Sequence, residues 1–211
     1  MGRYRIVKEG EHVPRIAAAE GFRDFASVWN DPSNAALRRT REPCVLNPGD
    51  ELYVPDRETK ALVAETGKTH EFVVRQTRLH LHLVVRDLND EPLSSVPCEL
   101  RIGSRTEALT LDGNGELDRV IPIQTESCEL QLPDRTVGLL VGHLDPVDKP
   151  AGQRARLSNL GFYAPDSEHD SDEDERSFRS AVEEFQCDHG LIVDGKCGTV
   201  TQAKLKAIHG S

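Results

Sequence analysis

Two histidines, His80 and His82, occupy alternate positions of a segment in which apolar and polar residues alternate, Leu79–Val85. If this segment is a β-strand, both imidazoles point to one face, and His70 is nearby in the sequence. A zinc site needs a third or fourth ligand with suitable geometry, and no HxxxH or HExxH spacing lies nearby. The pattern favours exposed or partly packed strand histidines; metal binding is the alternative.

The acidic run 166–175 is a second candidate for chemistry, because clusters of carboxylates bind hard cations such as calcium. It lacks the glycine and the closing glutamate of an EF-hand loop. We therefore expect a solvated loop whose last residues place negative charge at the N-terminus of the following helix.

The nucleophiles give no catalytic pattern. The five cysteines are odd in number and include no CxxC pair; they are Cys44, Cys98, Cys128, Cys187 and Cys197. Cys187 and Cys197 are close enough in sequence to pair in an oxidising compartment, but five free thiols, mostly buried, are the simpler interpretation. The GxSxG sequence of serine hydrolases is absent. We expect no catalytic residue, no cofactor and no metal.

Composition restricts the partners. The 211 residues include 26 Lys and Arg against 36 Asp and Glu, a net charge of −10, which argues against electrostatic binding of nucleic acid. No apolar run of about 18 residues predicts a membrane span. The first residues lack the apolar stretch of a signal peptide, so we expect synthesis and retention in the cytoplasm.

The elements fall into consecutive blocks of different periodicity. Residues 1–60 follow a strand–helix–helix–strand order, in which Tyr4 and Ile6 alternate with charged residues and predict a half-buried strand. Residues 70–142 contain short β-rich runs, including Phe72–Val74, which predict an antiparallel β-sandwich. Within that block, Asp112–Gly115 is predicted to form a hairpin turn.

The C-terminal part is helical. Residues 143–156, with two prolines and a glycine, are interpreted as a linker. Residues 157–211 place Phe178, Ala181, Val182 and Phe185 on one face of a helix. The whole chain is therefore predicted to be a multidomain α+β protein: a small βααβ module, a sandwich and a three-helix domain.

The C-terminal block carries Phe185-Gln186, then Gly190-Leu191-x-Val193-Asp194-Gly195, then Gly198. This pattern resembles the three-helix peptidoglycan-binding domain that accompanies many cell-wall hydrolases. The resemblance implies a shallow ligand groove lined by Tyr163, Gln186, Gly190, Leu191, Asp194, Gly195, Gly198 and Thr199. Residues 157–211 contain five basic and eleven acidic residues, a net charge of −6, so shape and apolar contacts, rather than charge, would recognise the ligand.

The first block resembles a lysin-motif module through Tyr4-x-Ile6-Val7-x-x-Gly10 and the closing Pro48-Gly49-x-x-Leu52-x-Val54-Pro55. This resemblance implies a candidate ligand surface formed by the loops Gly10–Val13 and Asn30–Asn34. Its candidate binding residues are Gly10, Glu11, His12 and Asn30. The middle block is weakly similar to transthyretin-like sandwiches.

The three-part order is similar to that of accessory proteins of contractile injection machines such as type VI secretion systems. The resemblance implies a bacterial, non-catalytic peptidoglycan-binding protein that such an apparatus delivers to the periplasm. One alternative is a cytosolic adaptor that binds injection-apparatus proteins. A third hypothesis is a wall-degrading effector enzyme.

Overall fold

The computed structural model describes residues 2–57, 63–71, 78–165 and 171–211. The chain divides into two compact units, Met1–Gly142 and His143–Ser211. Helices and antiparallel sheets occur together, which confirms the predicted multidomain α+β class. The predicted strand Phe72–Val74 and residues 166–170 of the acidic run lie outside the described residues. Among the described helices, none has the length and hydropathy of a membrane span.

The first part of unit 1 has the predicted strand–helix–helix–strand order. Its elements are β1 (Arg3–Ile6), α1 (Val13–Ala19), α2 (Ala26–Trp29) and β2 (Glu51–Val54), with short 3₁₀ turns at Pro32–Asn34 and Leu37–Arg39. Strands β1 and β2 pair antiparallel. His12 is the N-cap of α1, with Pro14 in the first turn. The core combines both helices with the inner face of β2, and Trp29 and Phe25 pack against it.

Strand β1 exposes the side that its apolar alternation predicted to be buried. Tyr4 is 60% and Ile6 54% exposed. Tyr4 lies opposite Tyr53, whereas Arg5 lies opposite the buried Leu52 and therefore faces the helices. Arg5 makes ion pairs there with Glu11 and Glu20. The prediction failed because cross-strand pairing with β2, rather than hydropathy, sets the orientation of β1.

In the second part of unit 1, the described residues form six strands. They are β3 (Leu79–Val84), β4 (Pro97–Ile102), β5 (Arg105–Thr110), β6 (Glu116–Ile121), β7 (Ser127–Gln131) and β8 (Thr136–Leu140). Strands β3 and β6 form one antiparallel sheet, and a second sheet has the order β5-β4-β7-β8. Leu83 and Leu117 of the first sheet share a buried cluster with Cys98 and Leu130 of the second.

The turn at Asp112–Gly115 does not join a hairpin, contrary to the prediction. The turn itself forms, since the Asp112 carboxylate accepts from the Asn114 and Glu116 amides at 2.8 and 2.7 Å. Strand β5, however, pairs with β4, while β6 pairs with β3. The chain therefore crosses here from one sheet to the other, because the partners on either side hold the two strands apart.

The described residues of unit 2 form three helices, α3 (Pro150–Asn159), α4 (Asp172–Asp188) and α5 (Thr199–His209). Helix α3 begins inside the segment interpreted as a linker, 143–156, so that interpretation does not hold for residues 150–156. Apolar periodicity missed the helix because its first two turns bury polar side chains, such as Arg154 and Arg156. Arg154 donates to the backbone at Pro165 and Asp174 and lies 4.4 Å above the Phe178 ring.

Helix α4 begins with acidic residues, as predicted for the end of the acidic run. Ser171 is the N-cap and accepts a hydrogen bond from the Asp174 amide at 3.1 Å. All four residues Asp172–Glu175 are acidic and occupy the first turn, where negative charge favours the helix dipole.

Candidate functional site

The segment between α4 and α5 contains most of the predicted ligand residues. Helix α4 ends as Gly190 adopts a φ of +65°, a conformation that favours glycine. The Leu191 amide then donates to the Gln186 carbonyl at 2.8 Å. The Leu191 side chain packs against the core of unit 2, so the predicted ligand residue Leu191 anchors the loop and offers little surface to a ligand.

Gln186 holds this loop in place from the core. Its side chain is 1% exposed, and its Oε1 accepts from the Asp194 and Gly195 amides at 2.9 and 3.0 Å. Its Nε2 lies 2.9 Å from Asp194 Oδ1 and 3.0 Å from both the Lys196 carbonyl and Thr201 Oγ1. Every polar atom of this amide is therefore occupied. Gln186, predicted to line the groove, is a buried positioning residue.

Asp194 orders the turn that follows. Its Oδ1 accepts from Gln186 Nε2 and from the Lys196 amide, both at 2.9 Å. These two bonds, the Gln186 bond first, hold the pKa of the carboxyl below its usual value, so it is ionised near neutral pH. Gly195, with a φ of +65°, passes so close to α4 that a Cβ there would lie 2.7 Å from Glu183 Oε1.

The residues that this loop exposes are more apolar than the ligand-binding residues predicted from the sequence. Ile192 is 86%, Val193 53% and Val200 69% exposed. Gly198 is the N-cap of α5, without a side-chain capping bond, and Thr199 is exposed in its first turn. We call the exposed Ile192, Val193, Thr199 and Val200 the α4–α5 surface. Sequence analysis missed its apolar members because periodicity assigns apolar residues to a core.

Tyr163 lies on a separate loop, after α3, and is 74% exposed. The preceding Phe162 packs edge-to-face on Phe185, with ring centroids 5.6 Å apart, as expected for a core residue. The Ser158 hydroxyl donates to the Ala164 carbonyl at 2.6 Å and closes this loop. Tyr163 therefore projects from a loop that the Ser158 side chain holds in place, and its contact with a ligand stays a prediction.

The candidate surface of the N-terminal module is largely covered. Gly10 is buried, and His12 is 2% exposed. A Cβ at Gly142, which follows the sandwich, would lie 2.7 Å from the Gly10 carbonyl and 3.0 Å from the His12 ring. Arg15 makes an ion pair with Glu126 of the sandwich. The sandwich therefore packs over Gly10 and His12, and binding of a ligand by these two residues stays a prediction.

The remaining predicted residues of that surface have other partners. Glu11 is half-buried and accepts from Arg5 and from the Lys8 amide. Asn34 is buried and exchanges hydrogen bonds with the backbone of Tyr53. Asn30 is exposed at the end of α2.

His12 is held neutral by its surroundings. Its Nδ1 accepts from the Arg15 amide at 3.4 Å, and its buried Nε2 has no hydrogen-bond partner in the described structure. Burial, followed by the positive charge of Arg15, lowers the pKa of His12 to about 4. At neutral pH the imidazole is therefore uncharged.

The strand histidines are not grouped as metal ligands. His80 Nδ1 lies 3.1 Å from Asp118 Oδ1, with both side chains more than half exposed. Within the described ranges, no group of three or more His, Cys, Asp or Glu side chains is arranged to hold a metal ion.

All five cysteines are free thiols, including Cys187 and Cys197. Burial raises the pKa of four of them, and that of Cys197 reaches about 11; the four are Cys44, Cys98, Cys128 and Cys197.

The comparisons with known proteins bear on unit 2. No curated protein and no solved structure gives a significant match to the chain. Residues 154–205, from the first turns of α3 to Leu205 of α5, match the family described as "Putative peptidoglycan binding domain". This match, which covers about a quarter of the chain, supports a C-terminal peptidoglycan-binding domain.

Proposed function

We propose that the protein is a non-catalytic peptidoglycan-binding protein that contacts the cell wall through the α4–α5 surface, with Tyr163 as a further contact. One observation carries this proposal: Ile192, Val193 and Val200 are exposed on a segment that Gln186 holds rigidly. Exposed apolar side chains on a fixed backbone are typical of recognition surfaces, because little conformational entropy is lost when they bind.

The chemistry of the surface fits an uncharged portion of peptidoglycan. Residues 157–211 have a net charge of −6, so attraction to the carboxylates of the wall does not drive binding. The acetyl groups of the sugars and the methyl groups of alanyl residues in the stem peptides offer apolar contacts of matching size. We expect the affinity of one module to be weak, and the repeating polymer to retain the protein through rebinding.

Three of the five cysteines are poorly suited to act as catalytic nucleophiles. Nucleophilic cysteines require a lowered pKa, whereas burial raises the pKa of Cys98, Cys128 and Cys197. Wall cleavage is tested directly by incubating the full chain with purified peptidoglycan. We expect no release of soluble muropeptides, and their release would establish the enzyme hypothesis instead.

Co-sedimentation of the full chain with insoluble peptidoglycan tests the binding proposal. We expect the wild type to pellet at moderate salt and Ile192→Ser to lower the bound fraction severalfold, because the apolar contact is lost. Ile208→Ser is the matched control: Ile208 is 43% exposed on α5, outside the α4–α5 surface. Its binding should equal that of the wild type. If the wild type remains in the supernatant, or if both variants bind equally, the proposal is wrong.

A second candidate, the injection-apparatus adaptor, is favoured by one observation in unit 1. The sandwich covers Gly10 and His12, the residues expected to bind a ligand in the N-terminal module. With that surface covered, unit 1 is better suited to contacts with proteins than with glycan. Failure of the full chain to pellet with peptidoglycan would favour this adaptor function, and capture of apparatus components from the native host would then test it.

A further inference from the structure

Strand β8 forms one edge of the four-stranded sheet. Two hydrogen bonds show which of its backbone amides and carbonyls face β7 and which point away from the sheet. The Leu132 amide donates to the Arg135 carbonyl, and the Val141 amide donates to the Glu126 carbonyl, both at 2.8 Å. Both pairs follow the β7–β8 register. Because the hydrogen-bonding direction alternates along an antiparallel strand, residues 135, 137, 139 and 141 bond towards β7. The amides and carbonyls of Thr136, Gly138 and Leu140 therefore point away from the sheet.

These outward groups are without protein partners in the described part of the chain. Two apolar side chains of the strand are also exposed, Val137 on its inner face at 36% and Leu140 on its outer face at 69%. Natural proteins usually protect such edges with charged residues, prolines or bulges. Strand β8 carries none of these: residues 136–142 read Thr-Val-Gly-Leu-Leu-Val-Gly.

The opposite edge of the same sheet is protected. Strand β5 carries Arg105 and Glu107, which lie 3.5 Å apart, and Glu107 also lies 3.6 Å from Arg119. A second strand added to β5 would have to approach these charges. Of the two edges that this sheet has in the described residues, β8 is therefore the uncharged one.

We propose that β8 pairs antiparallel with β8 of a second copy of this chain, about a two-fold axis at Gly138. This register places Gly138 opposite Gly138 of the second copy and Thr136 opposite its Leu140. All three residues have outward-pointing amides and carbonyls, so the pairing forms six backbone hydrogen bonds and joins two sheets into one of eight strands. It also brings Val137 beside Leu139 of the second copy and buries both.

Charge does not oppose the pairing of β8 with a second copy. In the proposed register Arg135 lies opposite Val141, and Asp134 lies opposite Gly142, so no like charges meet across the interface. This matters in a chain with a net charge of −10. A single edge pairing buries less than the area of a typical stable dimer, so we expect a weak dimer with a dissociation constant of about 10–500 μM.

Such a dimer would present two copies of unit 2 on one particle. If the proposed function holds, two wall contacts per particle increase retention on a polymer without any new contact surface. The dimer itself does not depend on that function, and its test requires no peptidoglycan.

Charge substitutions at Gly138 test the proposal. A Cβ at this position meets no atom within 4 Å, and the backbone there is not in the left-handed region, so Gly138→Lys and Gly138→Glu should both fold as monomers. In the dimer, each would place two like charges directly opposite one another. Sedimentation velocity of the full chain from 5 to 500 μM should show a monomer–dimer equilibrium for the wild type. Each variant should associate at least tenfold more weakly.

A mixture of the two variants gives the decisive measurement. In a mixed dimer, the introduced lysine of one variant would face the introduced glutamate of the other across the two-fold axis. We expect an equimolar mixture to recover at least wild-type association. Ala108→Lys, on the exposed face of the β5 edge, is the matched control and should associate like the wild type. A wild type that stays monomeric to 500 μM would overturn the proposal. So would a dimer that survives Gly138→Lys, or a mixture that remains monomeric.

Discussion

Among individual residues, Gln186 shows how one buried amide can determine the shape of a recognition loop. It is placed by α4, where it follows Phe185 on the buried face, and it bonds to backbone atoms of three successive residues, 194–196. The sequence analysis singled it out as part of the Phe185-Gln186 pair of the motif. From the sequence alone, Gln186 was predicted to contact the ligand, because a motif does not show whether a side chain is buried or exposed.

Replacing Gln186 separates these two roles. We expect Gln186→Leu to lower the free energy of unfolding by about 3 kcal/mol, because it removes the bonds of a buried amide and leaves the Asp194 and Gly195 amides without their acceptor. Gln202→Leu is the control: the Gln202 amide makes one bond, to the Cys197 carbonyl at 2.8 Å, so the loss should be below about 1 kcal/mol. Urea unfolding followed by helical circular dichroism measures both. If Gln186→Leu weakens peptidoglycan binding with unchanged stability, Gln186 contacts the ligand and is not a positioning residue.

At the scale of elements, periodicity located most helices and strands because their apolar residues face one core each. All six described strands of the sandwich lie within residues 70–142, the block predicted to be an antiparallel β-sandwich. The orientation of β1 and the crossing at Asp112–Gly115 were not predictable in this way. Both depend on which strand pairs with which, and that is set by residues distant in the sequence.

Helix α3 was partly missed for a different reason. The residues of its first two turns that pack inside are polar or lack a side chain, including Gly152, Gln153 and Arg154. Gln153 Nε2 donates to the Val147 carbonyl at 2.9 Å. Pairing of this kind permits burial of polar groups, but it leaves no apolar periodicity for sequence analysis to detect. The α4–α5 surface is the reverse case, since its apolar residues are exposed.

Gly152 gives a prediction at the scale of the helix. Replacing it by alanine should change the stability in the direction opposite to the one that helix propensity predicts. Alanine is normally favoured over glycine inside a helix by about 1 kcal/mol. A Cβ at Gly152, however, would overlap the Pro146 carbonyl oxygen and lie 2.5 Å from that of Asp145. We therefore expect Gly152→Ala to destabilise unit 2 by about 2 kcal/mol, measured by thermal unfolding at 222 nm. Gly198→Ala, where a Cβ meets no atom within 4 Å, should cost less than half as much. A stabilising Gly152→Ala would show that the 145–146 backbone can move away.

For the whole molecule, the contact between the N-terminal module and the sandwich unites two parts that the sequence presents as separate blocks. The contact is made by small or buried groups, namely Gly10, His12 and Gly142, with the Arg15–Glu126 pair beside it. Block boundaries can be recognised from composition, but a contact of this kind cannot, since glycines at turns carry no signal about what packs against them. Because the contact buries a titratable group, the stability of unit 1 should depend on pH.

His12 sets the direction of that dependence. Its pKa of about 4 in the folded protein lies below the usual 6.5, so between these values the unfolded chain binds a proton that the folded chain does not. Unfolding therefore becomes easier as the pH falls. From pH 7.5 to 5.0 we expect a loss of about 2 kcal/mol in the free energy of unfolding, monitored by urea titration with Trp29, the single tryptophan, as the fluorophore. His12→Asn keeps a capping acceptor for the Arg15 amide but does not titrate, and it should remove most of this loss. An equal loss in the variant would assign the pH dependence to other groups and show that the buried imidazole does not destabilise the contact with the sandwich in acid.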